Sequence, residues 1–265
     1  VERSRGLGDV YKRQINTLLR YYHQPHAGIY IKSLQRGDVL YAHNINTLFI
    51  PASVVKLLTA TSALAVMGAN YHFHTQLLVE RARAHQHNIT NVHVVFSGDP
   101  SLEYADIYHL MRTLPQRHIN FINGAIYLDD SAFDHQYWGP GWHPRDFGRC
   151  YSAPISANII EHNCLSWKIV PAAHIGARAT VFTDMPYHSV VSRDHNIVTG
   201  IAEGKHCAIN ANNQKGNLQF SGCIPAGNYQ WVLSRAVPNL AAYNKNLFAH
   251  LCPVSYTHLR AHETS

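Results

Sequence analysis

The stretch F-I-P-A-S-V-V-K-L-L-T, from Phe49 to Thr59, places a serine and a lysine three residues apart, Ser53 and Lys56, at the start of an apolar run. Three residues are nearly one helical turn, so on a helix both side chains lie on one face. A serine hydroxyl becomes a good nucleophile when a base takes its proton, and a lysine amine can be that base where burial disfavours its charged form. The pair therefore predicts a nucleophile and its activator on one turn of helix.

The residues around the pair favour this interpretation over a helix-capping serine followed by a surface lysine. Pro51 suits the entry to a helix. The run from Leu57 to Met67 is almost wholly apolar or small, as in a helix of the protein core. We therefore expect a buried helix over about 52–67 and a partly desolvated Lys56.

The two ends of the chain are related through one DNA sequence. Residues 4–14, S-R-G-L-G-D-V-Y-K-R-Q, can be encoded by a tract whose reverse complement, read in a shifted frame, encodes V-S-Y-T-H-L-R-A-H-E at 254–263. The tract resembles a transposase adapter used to prepare sequencing libraries. We therefore interpret 1–14 and 253–265 as adapter-derived and 15–252 as a fragment of a longer protein, the alternative being a coincidence between two unrelated tails.

The composition of 15–252 excludes some classes of function. It has 17 Lys and Arg against 13 Asp and Glu, and this formal charge of +4, without basic runs, does not indicate nucleic-acid binding. No apolar run is long enough to span a membrane. Histidines at 72, 74, 85 and 87 form two close pairs, but H-E-x-x-H and C-x-x-C are absent, so we predict neither a metal site nor a cofactor.

The cysteines predict an oxidising compartment. Cys207 and Cys223 bracket two strand-like runs joined by the turn-rich tip N-N-Q-K-G-N, and Cys150 and Cys164 flank another short segment. Cross-strand pairing would bring the first pair within disulfide reach. We predict the disulfides Cys150–Cys164 and Cys207–Cys223, and four reduced core cysteines are the alternative.

Hydrophobic periodicity predicts an α+β fold that becomes rich in strands after Gly68. The residues 15–22 are typical of the end of a helix, and 27–34 and 38–44 form a predicted hairpin. Two further helices are predicted at 102–114, capped by Ser101, and at 240–251, capped by Asn239. Strands are expected at 75–80, 92–97, 125–129, 165–170, 179–183, 207–209, 218–221 and 230–234.

Several ordered motifs resemble the low-molecular-mass, class C penicillin-binding proteins, which are D-alanyl-D-alanine carboxypeptidases and endopeptidases. The first is N-x-x-F-x-P-A-S-x-x-K-L-L-T-A at 46–60. Further motifs follow in the order of that family's inserted region: S-G-D-P-S-L at 97–102, G-A-I-Y-L-D-D-S-A-F-D at 124–134, G-P-G-W at 139–142, C-Y-S-A-P-I-S-A at 150–157 and N-C-L at 163–165. Together they are far more specific than S-x-x-K alone.

The resemblance implies the N-terminal part of a serine β-lactamase/transpeptidase-like domain at 15–70, followed by a β-rich insert at 71–252, with the C-terminal part of the catalytic domain missing. It implies cleavage of peptidoglycan stem peptides in the periplasm or at the cell surface, with Ser53 acylated and Lys56 as base. β-Lactams are then expected to be covalent inhibitors. Under this interpretation the signal peptide is lost by truncation, and the oligomeric state and the balance of carboxypeptidase and endopeptidase cleavage stay open.

Two expected parts of the catalytic set are missing from the sequence. The family places an S-x-N motif and a K-T-G motif after the insert, and neither stands there. Ser156 and Asn158 spell S-x-N inside the insert, where we interpret them as structural, and Lys215-Gly216 lacks the middle residue of K-T-G. We therefore expect the 265-residue chain itself to be inactive or nearly so.

One residue of the insert is a candidate for substrate recognition. Asp129 matches by position the family's aspartate linked to the amine of the diamino acid in the stem peptide, since a carboxylate suits an ammonium. An acid that closes the turn at a strand end is the alternative. At the level of the whole protein, a serine β-lactamase and a non-catalytic peptidoglycan-binding module are the rival hypotheses.

Overall fold

A computed structural model describes residues 7–23, 26–80, 87–183, 195–201, 207–214, 217–252 and 258–261. The chain divides into two compact units, Val1–Tyr71 and His72–Ser265. Within the described ranges, no helix is both long enough and apolar enough to cross a membrane.

The first unit consists of two helices and a β-hairpin. Helix α1 (Leu7–Tyr21) precedes strands β1 (Ile29–Lys32) and β2 (Val39–His43), which pair antiparallel. A 3-10 turn, Ala52–Val54, leads into helix α2 (Val55–Met67). The predicted hairpin and the predicted helix are confirmed, whereas the sequence predicts only the end of α1 because its first half lies in the adapter-like tract.

Helix α2 is apolar but exposed, so the expectation of a buried helix is wrong for this chain. None of its residues is buried, and Leu57, Leu58 and Val66 are 69%, 70% and 84% exposed. A helix that is hydrophobic all round is normally packed from several sides. The described residues supply no such cover, and the sequence pattern alone cannot tell whether the partner of an apolar helix lies in the same stretch of chain.

The second unit contains most of the strands and two helices. In chain order its elements are β3 (Gln76–Val79), β4 (Asn88–Ile89), β5 (Val92–Val95), α3 (Tyr104–Gln116), β6 (Phe121–Ile122), β7 (Ala125–Asp129), β8 (Cys164–Val170), β9 (Thr180–Phe182), β10 (Asn196–Gly200), β11 (Ile209–Gln214), β12 (Asn217–Pro225), β13 (Trp231–Ala236), α4 (Leu240–Leu251) and β14 (His258–Ala261). The eight predicted strands all occur, most of them within two residues at each end.

The largest sheet of this unit has the strand order β14-β7-β5-β3. Strand β7 lies parallel to both β5 and β14, whereas β3 is antiparallel to β5. One face of the sheet is closed by side chains that are at most 4% exposed: Val92, Val94, Ile126 and Leu128. Because successive side chains of a strand alternate between faces, the other face carries His93, Tyr127 and Asp129.

Two further sheets, β13-β8-β9 and β10-β12-β11, join the same hydrophobic core. Trp167 of β8 meets Phe220 of β12 edge to face, with ring centroids 5.2 Å apart. Phe96 meets Phe248 of α4 in the same manner at 6.3 Å. Phe220 and Phe248 have no exposed surface, and Phe96 and Trp167 are nearly as buried, so these aromatic pairs tie the sheets and α4 into one core.

The two helices of the second unit differ in how well their starts are predicted. Asn239 caps α4 as predicted, because its side chain accepts a hydrogen bond from the Ala242 N–H at 2.9 Å. Helix α3 begins later than predicted, after Glu103 rather than Ser101. The Ser101 hydroxyl instead donates to Asp99 at 2.7 Å, and that local bond removes it from the helix end.

Candidate active site

The S-x-x-K motif lies at the start of α2. Ser53 belongs to the 3-10 turn before the helix, and Lys56 to the first turn of the helix itself. The Val54 N–H donates to the Pro51 carbonyl at 2.9 Å. Ala52, directly before the serine, has φ +43°, a left-handed conformation that costs free energy in a residue with a Cβ atom. The backbone therefore holds the serine on a strained turn at a helix N-terminus.

Both side chains of the motif are exposed. The desolvation that we expect for Lys56 is therefore not supplied by the described residues. Lys215-Gly216, the nearest sequence match to K-T-G, lies outside those residues. The first unit thus brings together the predicted nucleophile and base without the surroundings that such a pair needs.

Asp129 lies at the end of β7 in a cavity of about 470 Å³. The cavity is formed by the outward face of β5 and β7 and by the turn that follows β7. Next to the carboxylate, His93 and Tyr127 stack nearly parallel with ring centroids 4.8 Å apart, because the parallel register pairs these two residues. The cavity thus combines a carboxylate with a flat aromatic surface.

The turn after β7 favours the ionised form of Asp129. The Ser131 N–H donates to Asp129 Oδ1 at 3.0 Å. The Ser131 hydroxyl and then this N–H lower the pKa of Asp129, and the partial burial of the carboxyl does not offset them. The contact with Ser131 fits a turn-closing acid, and the cavity gives a cationic ligand access to the same carboxylate.

The S-A-N sequence at 156–158 is buried in the second unit. Ser156 and Asn158 are 4% and 7% exposed. Asn163 donates to the Ser156 hydroxyl at 3.0 Å, and Asn158 Nδ2 donates to Asp130 Oδ2 at 3.2 Å. Asn244 of α4 donates to the Asn158 carbonyl at 3.4 Å. These bonds tie the turn that carries Asp129 to the core, which is the behaviour of structural residues.

The sulfur atoms of two cysteine pairs lie at bonding distance, Cys150 with Cys164 and Cys207 with Cys223. Their Cα atoms are 5.3 and 5.0 Å apart, within the range of protein disulfides. Cys252 is free and buried, and burial raises the pKa of its thiol to about 12. This thiol is therefore protonated and poorly reactive at neutral pH.

No group of three His, Cys, Asp or Glu side chains that could hold a metal ion occurs among the described residues. His72, His74 and His87 are exposed, and His85 lies outside the described ranges.

The pairing of His93 with Tyr127 is not among the features predicted from the sequence. Alternation in V-H-V-V and A-I-Y-L-D places both residues on the face opposite the apolar ones, and this signal is present in the sequence. Their adjacency depends on the parallel register of β5 and β7. Helix α3 and β6 separate these strands in the chain, so local pattern does not reveal the register.

The chain belongs to the D-Ala-D-Ala carboxypeptidase 3 (S13) family, which matches residues 14–252.

Two relatives carry the corresponding activity in their names. The D-alanyl-D-alanine carboxypeptidase of Actinomadura sp. (strain R39) is 28% identical over 229 residues, which cover 84% of this chain and 42% of that protein. The D-alanyl-D-alanine carboxypeptidase DacB of Haemophilus influenzae is 27% identical over 222 residues, covering 82% of this chain and 45% of the relative. The chain spans less than half the length of these relatives.

The fold is similar to that of penicillin-binding protein 4 (dacB) from Haemophilus influenzae. One crystal structure of that protein superposes with a TM-score of 0.73 at 25% sequence identity, covering 88% of this chain and 52% of the other. A second, complexed with a β-lactam, has a TM-score of 0.68 at 22% identity and shows the same fold, covering 90% of this chain and 52% of the other.

Proposed function

We propose that this chain carries the nucleophile of a serine-type D-Ala-D-Ala carboxypeptidase or endopeptidase that cleaves peptidoglycan stem peptides through an acyl-enzyme. The observation that carries the proposal is the placement of Ser53 and Lys56 on one turn at the start of α2, in a chain of the S13 family.

The proposed reaction is an acyl transfer in two steps. Lys56 accepts the Ser53 proton as the hydroxyl oxygen attacks the carbonyl carbon between the terminal D-alanines. Backbone N–H groups, including that of Ser53, stabilise the oxyanion. The C–N bond breaks, the leaving D-alanine takes a proton on its nitrogen, and water then hydrolyses the serine ester. A β-lactam enters the same first step and remains on Ser53, because no amine departs from its opened ring.

The proposal also assigns each segment of the chain to a part of the protein. Residues 15–70 contribute part of the transpeptidase-like domain, 71–252 form the insert, and 1–14 and 253–265 are adapter-derived. The family match over 14–252 and the exposed apolar surface of α2 support this division. The S-x-N and K-T-G motifs then come from chain beyond residue 252, and the 265-residue chain is inactive by itself.

Asp129 is the proposed ligand for the side-chain ammonium of the diamino acid in the stem peptide. Its lowered pKa and its position in a 470 Å³ cavity support this role. The two cysteine pairs support an oxidising location, in the periplasm or at the cell surface.

Covalent labelling by fluorescent penicillin tests the proposed function. We expect the protein encoded by the intact gene to be labelled, its Ser53→Ala variant to be unlabelled, and the 265-residue chain to be unlabelled. Lys56→Ala should slow labelling of the intact protein by orders of magnitude, because the nucleophile then lacks its base.

Labelling that survives Ser53→Ala would contradict the assigned nucleophile. An acyl-enzyme of the intact protein that turns over within seconds would instead indicate a β-lactamase. Peptidoglycan binding without any labelling of the intact protein would indicate a non-catalytic binding module. Labelling of the 265-residue chain itself would refute the proposed division of the active site.

A further inference from the structure

A second cavity of the second unit, of about 420 Å³, is separate from the Asp129 cavity. It lies between the segment 145–149, the strand β11 and the end of β13. None of its lining residues belongs to the Asp129 cavity. Its volume is within the range of sites that bind small molecules.

Three arginines line this cavity, Arg145, Arg149 and Arg235, and none of its lining residues is Asp or Glu. Arg235 is half-buried, and its Nη1 donates to the Ser234 carbonyl at 2.8 Å. Burial, and then the like charge of Arg149, lower the pKa of Arg235. Among the described residues no carboxylate lies within 4.0 Å of these guanidinium groups. Guanidinium groups that share one cavity, of which that of Arg235 is partly desolvated, favour an anionic ligand.

The backbone around the arginines is fixed on both sides. The Ala236 N–H donates to the Gly148 carbonyl at 3.0 Å, and Ala236 pairs in register with Cys164 of β8. Cys164 in turn is joined to Cys150, the residue after Arg149. Arg149 and Arg235 are thus each next to an anchored residue, so little backbone freedom is lost when a ligand binds them.

The remaining walls of the cavity include an aromatic pair and asparagines of strand β11. Trp138 and Phe147 stack nearly parallel with ring centroids 4.6 Å apart, and the Trp138 indole N–H donates to the Ser152 carbonyl at 3.2 Å. Strand β11 adds Asn210, Asn212 and Asn213 to the lining, and strand alternation places the amide side chains of Asn210 and Asn212 on one face, opposite Ile209 and Ala211. Aromatic faces pack against the apolar faces of ring-shaped ligands, and amide groups can bond to hydroxyl and acetamido groups.

We propose that this cavity binds an anionic saccharide. Arg149 and Arg235 pair with its carboxylate, the β11 amides bond its hydroxyl or acetamido groups, and the Trp138–Phe147 stack covers one face of the sugar ring. The site does not involve Ser53, and only the choice of N-acetylmuramic acid as probe rests on the proposed function.

Titration of the 265-residue chain, followed by NMR, tests the site with three probes. N-acetylmuramic acid carries a carboxylate that N-acetylglucosamine lacks, and inorganic phosphate carries charge without a sugar. We expect N-acetylmuramic acid to bind at least about tenfold more tightly than either of the others, since one charge-assisted pair accounts for a factor of that order. High salt should weaken its binding.

Variants locate the site. Arg149→Gln and Arg235→Gln should each weaken binding of N-acetylmuramic acid about tenfold, whereas Arg117→Gln, which removes an exposed arginine at the end of α3, should leave it unchanged. Trp138→Ala should weaken the binding of both sugars and leave the binding of phosphate unchanged. The thermal unfolding midpoint of each variant shows that it is folded.

Three results would overturn the proposal: equal affinity for the two sugars, phosphate binding as tight as that of N-acetylmuramic acid, or no saturable binding of N-acetylmuramic acid. Unchanged binding by the double variant Arg149→Gln, Arg235→Gln would also overturn it. Ser53→Ala should bind N-acetylmuramic acid as tightly as the parent chain, so failure of the catalytic proposal and failure of this one are distinguishable.

Discussion

At the scale of single residues, environment changes the chemistry of otherwise ordinary groups. The turn that follows Asp129 lowers the pKa of its carboxyl, and the core around Cys252 keeps its thiol protonated. Ser53 follows a residue in a left-handed conformation. Each of these effects depends on the surrounding residues in the fold, which a sequence motif does not reveal.

The proposed role of Asp129 predicts a selective loss. In the intact protein, Asp129→Ala should lower kcat/KM at least about tenfold for stem peptides that contain diaminopimelate, because one charge-assisted pair is lost. Peptides with an uncharged residue in that place should be cleaved as before. An equal loss on all peptides, measured by product release, would assign Asp129 to the turn alone.

The buried thiol of Cys252 predicts slow modification and an alkaline loss of stability. In the folded chain at pH 8, iodoacetamide should label Cys252 far more slowly than in urea. The folded pKa of about 12 lies above the ordinary value of 9.0, so ionisation favours the unfolded chain as pH rises above 9. The free energy of unfolding should fall by about 1 kcal/mol between pH 8 and pH 10.

A Cys252→Ala variant provides the control for the pH effect, since it retains the other ionisable groups of the chain. Its free energy of unfolding, measured with urea, should depend less on pH between 8 and 10. Rapid labelling of Cys252 in the folded chain would show that the thiol is not buried.

At the scale of elements, strands with strong alternation and the helix with an unambiguous cap were predictable from sequence. The start of α3 was missed because Asp99 binds Ser101 locally. Strand β10, whose run N-I-V-T-G has only two large apolar residues, pairs with β12, and a pairing so distant leaves no local signal. The cavity lined by Arg145, Arg149 and Arg235 is not predictable from the sequence for the same reason, because strand pairing and a disulfide bring its walls together.

The strand β12 depends on a glycine at one position. Gly222 has φ +111°, and a Cβ atom there would clash with the Ala208 carbonyl oxygen. Gly222→Ala should therefore lower the free energy of unfolding by about 3 kcal/mol or more. Gly141→Ala, at φ +83° with no atom within 4 Å, should cost only about 1–2 kcal/mol. Equal costs in urea unfolding would refute the steric explanation.

At the scale of the whole molecule, the two units differ in how they are stabilised. The second has a continuous core in which Phe248 and Tyr243 have no exposed surface, whereas α2 of the first unit contributes no buried residue. The sequence predicts that α2 is a helix and that its residues are apolar. It does not show which part of a protein covers them, because hydrophobicity identifies a buried surface and not its partner.

This difference predicts how substitutions affect stability in the 265-residue chain and in the intact protein. In the 265-residue chain, Leu58→Gln should change the free energy of unfolding by less than about 0.5 kcal/mol, since Leu58 is 70% exposed. Phe248→Ala should cost about 3–5 kcal/mol. In the intact protein, where we expect further parts of the catalytic domain to cover α2, Leu58→Gln should cost at least about 2 kcal/mol. If Leu58→Gln changed the free energy of unfolding negligibly in both proteins, the expected burial of α2 in the intact protein would be contradicted.

The uncovered apolar helix has a consequence for synthesis. Under the proposed organisation, α2 leaves the ribosome about 180 residues ahead of the segments that cover it. At a synthesis rate of about 5–20 residues per second, α2 stays uncovered for roughly 10–40 s. During that interval Leu57 and Leu58 remain uncovered and available to chaperones. Under that proposed organisation, the residue proposed as nucleophile is among the first parts of the catalytic domain to be made, and its helix is among the last to be buried.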